Sequence, residues 1–474
     1  GSVWNIPEYT EYKMHYSNGQ LLFSGDTEEM GIELYRSDGT AEGTVLLKNI
    51  NETEIFPGRG NDSQPHSFTE VNNVIYFAAN DGIGASYGDG LWKTDGTGSG
   101  TVMVKDIAPT WLTGNQFFLL FSGAGELWQS IGSEIGTAMV KDINPWGLSY
   151  PEDLITIGNM TYFTAEGIVD SRGTGRELWK TDGTTAGTVM VADLNPDGST
   201  DFGEFIGNNG ILYFTINDGD QLWRSDGTAA GTRMIIETYS VGNSDIGDFA
   251  VLNNVLYFRA MNGVTWDLWK SDGTTAGTVQ VTQPAVDGFG LHPIDIMTCN
   301  ERLFFLGGNS PWGVELHESD GTDAGTRGVQ DIRVGVENSN VQHMTCAENK
   351  LFFSADNGRN GQELWVYTMD DCLAVGADLG IQVPCAEYNG NSYGFMLDFY
   401  RNPDDLSGYY WKLAEASLTT GTGSDCMPIA TDLSMIMDCV SYNGTQYGFT
   451  LRFYSNPHAS GLYWKMDMST LEVK

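Results

Sequence analysis

One phrase, ELWKTDGTTAGTVMVADL at 177–194, recurs along this chain and restricts its fold more than any other feature. Read physically, it is a hairpin. Glu177 to Thr181 is a short strand with an aromatic residue at its centre. Asp182-Gly183-Thr184 opens a turn, because Asp can bond its own backbone and Gly can take positive φ. Gly187 closes the loop, and Thr188 to Leu194 alternates as a second strand. Copies begin at Glu33, Gly90, Glu126, Gln221, Asp267 and Glu315, with a truncated one at Glu363. The aromatic position is Tyr35, Trp92, Trp128, Trp179, Trp223, Trp269, His317 and Trp365, a spacing of about 47 residues.

A second marker precedes each copy: Phe23, Phe77, Phe121, Phe163, Phe214, Phe258, Phe305 or Phe353 ends a short apolar run such as Leu212-Tyr213-Phe214. Before most of these lies another strand and a polar turn, as in Phe68 to Asn73. Each unit therefore has four short antiparallel strands, the composition and period of a propeller blade. Such a unit cannot bury its faces alone, so the Trp and Phe positions are expected to pack between neighbouring blades. The eighth copy has no Gly-Thr turn after Trp365. Val3 to Ile6 resembles the strand of Val140 to Asn144 without its context, and is expected to complete the last blade. The same strand could close a neighbouring molecule's ring instead and build a fibre. Eight blades are expected, seven if the irregular third unit is not one.

The quoted phrase resembles the bacterial family of ELWxxDGT repeats, over nearly all of residues 1–369. That resemblance implies a secreted or surface-attached bacterial protein and a propeller. Three copies depart from the pattern. The third has Ile131-Gly132-Ser133 for Asp-Gly-Thr, the seventh has His317 for the aromatic, and the eighth lacks the turn.

At Asp370 the composition changes. Two copies of a different unit follow, offset by 54 residues, with Tyr-Asn-Gly hairpin signals at 388–390 and 442–444. The organisation predicted is a propeller over 1–369 and a small two-copy β-domain over 370–474. Six cysteines fall into plausible pairs: Cys372 with Cys385, Cys426 with Cys439, and Cys299 with Cys346 at matching places in consecutive repeats. Paired cysteines without CxxC or a His cluster favour disulfides and an oxidising compartment over zinc.

The formal charge of −38 argues against nucleic acid and anionic lipid as partners. No apolar run is long enough to span a bilayer. The start at Gly1-Ser2-Val3 reads as a processed N-terminus with any export signal already gone. Six scattered histidines make no HExxH and no Ser-His-Asp neighbourhood, and no phosphate loop or nucleophile elbow is present. No catalytic residue or cofactor is assigned. Acidic Gly-rich loops between the Phe and Trp strands offer Asp81, Asp89, Asp218, Asp220 and Asp356 as oxygen ligands, for which calcium is the natural cation. In the tail, Tyr409, Trp411, Tyr463 and Trp464 are candidates for stacking on a sugar ring or another subunit. The Asp of each Asp-Gly-Thr is expected to cap its own turn.

The expectation is an all-β extracellular protein that presents propeller surfaces for adhesion or assembly, with other subunits or an extracellular glycan as partners. A secreted lectin-like module and a polysaccharide-degrading propeller enzyme are the alternatives.

Overall fold

The computed structural model describes residues 14–368 apart from short segments, and from 373 to 473 the backbone of the strands. The omitted segments are 18, 28, 39, 57–58, 84–87, 170–171, 218, 239–245, 283–289, 309–312, 348–349 and 360. Every regular element described is a β-strand. By contacts the chain divides into two units, Gly1–Met297 and Thr298–Lys474.

Eight consecutive meander sheets form the blades of a β-propeller arrangement. The fourth blade is representative, with strands Glu152–Ile157, Met160–Val169, Arg172–Thr181 and Val189–Ala192. The irregular third unit is a blade too, of Pro109–Gly114, Leu119–Gly123, Glu126–Ser130 and Thr137–Lys141. The eighth sheet has three strands among the described residues, Gln342–Ala347, Lys350–Asp356 and Gln362–Thr368. The closing strand expected at Val3 to Ile6 lies outside the described residues.

The repeat explains its own geometry. Phe and Trp positions pair across two central strands, as Phe163 with Trp179 and Phe214 with Trp223. Phe77, Phe121, Phe163, Phe214, Phe258 and Phe305 are fully buried. Packing aromatic and branched side chains on both faces of each sheet is what sheet-on-sheet stacking demands. His317, the odd aromatic, stacks on Phe305 with ring centres 5.7 Å apart, so it fills the same position.

The Asp-Gly-Thr turn works as expected. Asp182 Oδ1 accepts the Thr184 N–H at 2.9 Å and its hydroxyl at 2.7 Å. Asp38, Asp95, Asp226, Asp272 and Asp320 repeat this arrangement. A Cβ at Gly187 would collide with the Asp182 carboxylate, which is why Gly follows Asp five residues later. The loop also latches blades together. Lys93 Nζ donates to Gly132 O of the next blade at 2.7 Å, and Lys180 Nζ to Gly227 O at 2.7 Å.

The initial Glu of the phrase has a role not evident in the sequence. Glu33 is fully buried and accepts from Ile50 N–H at 2.6 Å and the Ser63 hydroxyl at 2.7 Å. Glu177 does the same with Leu194 N–H at 2.7 Å and the Thr200 hydroxyl at 3.0 Å. Each such carboxylate pins the segment that leads to the following blade.

Cys299 and Cys346 are disulfide-bonded, as their matching places in consecutive repeats suggest. Beyond the blades, the described strands form one eight-stranded sheet with the two copies side by side. Its register carries an exchange: Leu373–Ala374 runs parallel to Val440–Ser441, and Met427–Pro428 parallel to Ala386–Glu387. Each copy's leading strand thus pairs on the other copy. The pairings expected of Cys372 with Cys385 and of Cys426 with Cys439 lie outside the described residues. The side chains of Tyr409, Trp411, Tyr463 and Trp464 do too.

Candidate binding cleft

The third and fourth blades leave a cleft of about 250 Å³ on the first unit. Its origin is a short turn. Leu119–Gly123 and Glu126–Ser130 are joined by Ala124 and Gly125 alone, both in the left-handed region with φ of +49° and +79°. Two such residues in sequence make the tight hairpin connection whose twist suits antiparallel strands. The second blade has the longer 80–89 connection at this place. The third blade has none of it, and the floor of the cleft is Ser122, Gly123, Ala124 and Gly125.

Two aromatic residues wall the cleft. Trp111, 48% exposed, lies on the first strand of the third blade. Its φ is +54°, in a bulge between Thr110 and Thr113. The same bulge recurs with Ser67, Asp153, Asp248 and His343 at positive φ. At the Trp111 position a bulky side chain therefore occupies a left-handed site that elsewhere holds small, polar or imidazole groups. Non-glycine residues in that region carry a conformational cost, and such costs concentrate where a residue is needed.

Tyr150, 47% exposed with φ of +43°, faces the cleft from the loop before the fourth blade. The buried Glu126 of the repeat phrase places this loop: its carboxylate accepts the Ser149 hydroxyl at 2.6 Å and Ser149 N–H at 3.3 Å. Gly125 O accepts the N–H groups of Ser149 and Tyr150 at 3.0 and 2.9 Å. A Cβ at Gly125 would press on Leu148, so the turn and the loop fit only as a pair. At the rim, Glu152 forms an ion pair with Arg176 at 2.9 Å, and Arg176 also donates to Tyr150 O at 3.1 Å. Behind them Asp153 accepts the Thr164 hydroxyl at 3.0 Å, and burial pushes its carboxyl up.

The residues singled out in the sequence lie elsewhere. Asp89 sits 3.7 Å from His66. Asp356 binds Arg333 at 3.1 Å and caps Gly358 N–H at 2.7 Å. Asp81 caps Ile83 N–H at 2.9 Å, in the second blade. Asp220 belongs to the fifth blade, where its carbonyl accepts Thr238 N–H at 2.9 Å. Asp218 lies outside the described residues. Among the described residues no three acidic, His or Cys side chains gather as a metal group. No described helix is long and apolar enough to cross a membrane.

Trp111 and Tyr150 were not singled out. Their signal was the shortened third unit itself, with Ala-Gly in place of an acidic loop and a Trp where neighbouring units have Ser or Asp.

No known family profile matches the chain, and no curated protein matches it. Among solved structures it is similar to a puromycin hydrolase at 12% identity and a TM-score of 0.40, covering 72% of this chain and 59% of that one. The chain thus spans about 59% of that hydrolase's length. It is similar to the GH74 enzyme of Niastella koreensis at 12% identity and a TM-score of 0.35, covering 94% and 71%. YCF48 from Cyanidioschyzon merolae matches at 10% identity and a TM-score of 0.39, covering 64% and 94%. No activity is carried over from these proteins.

Proposed function

We propose that this chain is an extracellular, non-catalytic recognition propeller of the ELWxxDGT-repeat kind, which adheres by holding a saccharide in the cleft between its third and fourth blades. The observation that carries this reading is the pair of half-exposed aromatics, Trp111 and Tyr150, over a floor of small residues. A pyranose offers an apolar C–H face to an aromatic plane and hydroxyls to its surroundings. Aromatic walls with a few placed polar groups suit that division. Glu152 and Arg176 at the rim supply an acceptor and a donor. The disulfide between Cys299 and Cys346 supports an oxidising, extracellular address.

The chain's charge of −38 sets the ligand class, because an acidic surface repels polyanionic glycans. Neutral oligosaccharides are the expected ligands. On an array of neutral and anionic glycans, the wild-type chain should retain neutral members. Trp111→Ala and Tyr150→Ala should each weaken that binding by about tenfold or more, the value of one lost stacking contact or more. Unchanged binding in both variants would remove the cleft from the reading. Release of new reducing ends from a bound glycan would overturn the non-catalytic assignment.

A further inference from the structure

The loop from the third blade to the fourth and the loop from the fourth to the fifth are copies of one pattern, at 144–150 and 195–201. The same bonds hold both. The Asn144 amide donates to Leu148 O at 3.2 Å, and the Asn195 amide to Ser199 O at 2.8 Å. Asn144 O accepts Gly147 N–H at 2.9 Å, and Asn195 O accepts Gly198 N–H at 3.0 Å. Ser149 and Thr200 are buried at matching places, each donating its hydroxyl to the first carboxylate of a repeat phrase, Glu126 or Glu177.

The exposed side chains differ. The second loop shows Asp197, Ser199 and Asp201 to solvent. At the corresponding places the first loop has Trp146, Leu148 and Tyr150, exposed by 71%, 44% and 47%. The second loop keeps the turn with polar residues, so the turn does not require these three apolar ones. Leu148 partly covers Gly125, whereas Trp146 keeps most of its surface in water. An exposed apolar strip of this kind marks a contact with something outside the chain.

The strip is long and narrow. Trp111 lies on the first strand of the third blade, and Trp146 on the loop that leaves the fourth. Those two strands stand about 14 Å apart, three strand spacings across the sheet. Three aromatics of roughly 200 Å² each, about half exposed, offer roughly 300 Å². One side of a standard protein interface buries roughly 800 Å². The strip therefore suits a chain of sugar rings better than a folded partner. We propose that the cleft is one end of a track along the edge of the third blade that binds an extended neutral glycan chain, with Trp146 as a second stacking platform at the other end. This track rests on the saccharide reading of the cleft and adds to it a ligand of several rings. Successive pyranoses offer apolar faces along one chain, which lets a single ligand stack at both ends.

The test measures, by calorimetry on the full chain, dissociation constants for neutral homo-oligomers of glucose, mannose, galactose and N-acetylglucosamine of graded length. In the series that the wild type binds, affinity should rise by about tenfold or more from the dimer to the hexamer. Trp146→Ala should remove that rise and leave the affinity for the dimer within about twofold, and Trp146→Phe should restore the rise. Both variants should melt as the wild type does, the side chain being exposed. Trp111→Ala should weaken every length. Affinity that is flat with length, or a rise that survives Trp146→Ala, would overturn the track, while a loss in Trp111→Ala would keep the cleft. No binding of any series would overturn both. A Trp146→Ala variant with wild-type glycan affinities but altered sedimentation would assign Trp146 to a contact between copies and overturn the track.

Discussion

At the scale of the residue, the repeat phrase is a set of hydrogen-bond obligations. Asp182 was legible as a turn cap because its partner Thr184 stands two residues away. Glu33 was not, because its partners Ile50 and Ser63 are 17 and 30 residues distant and only the folded blade brings them in. The burial that results has a pH signature. Burial, ahead of the opposing hydrogen bonds from Ile50, Ser63 and Asn51, pushes the Glu33 carboxyl from 4.5 up to about 7. The folded state therefore holds its proton more tightly than the unfolded chain. Its contribution to stability is full below pH 4.5 and is lost as the pH rises to about 7. A shift of that size corresponds to roughly 3 kcal/mol. In denaturant unfolding from about pH 4.5 to about pH 7.5, Glu33→Gln should gain on the wild type by roughly that amount. A stability gap that does not change with pH would show that Glu33 stays ionised throughout.

At the scale of the element, the blade was readable from period and alternation, and its exceptions from single residues. Ile131 replaces the turn Asp in the third copy, yet Thr137 still donates to Ser133 O at 2.7 Å and the loop keeps its form. The backbone pattern tolerates loss of that carboxylate because the Ser and Thr bonds remain. Blades also meet covalently. The Cys299–Cys346 link closes a sequence separation of 47, for which loop-closure entropy gives about 4 kcal/mol. Replacing both cysteines by serine should lower the unfolding free energy by roughly 2–4 kcal/mol. An unchanged denaturant midpoint would mean that the second unit is held by packing alone. What spacing could not reveal is the exchange of leading strands in the tail. Parallel pairing of Leu373 with Val440 and of Ala386 with Met427 is a choice between two copies of one pattern.

At the scale of the whole molecule, charge dominates. A formal charge of −38 on 474 residues makes the compact state repel itself. Added salt shortens the screening length from roughly 30 Å at 0.01 M to roughly 8 Å at 0.15 M. The melting temperature should therefore rise by several degrees over that range of NaCl. A melting temperature indifferent to salt would mean that the carboxylates are already neutralised, by protons or by tightly held cations.

Local chemistry alone determined the all-β class, the eight units, their turns and the Cys299–Cys346 pairing, since each depends on a short period or a matching place in consecutive repeats. Tertiary structure decided the cleft. Trp111 and Tyr150 are 39 residues apart, one on the third blade and one in the loop before the fourth, and they line one cleft because the two-residue turn at Ala124–Gly125 leaves space there.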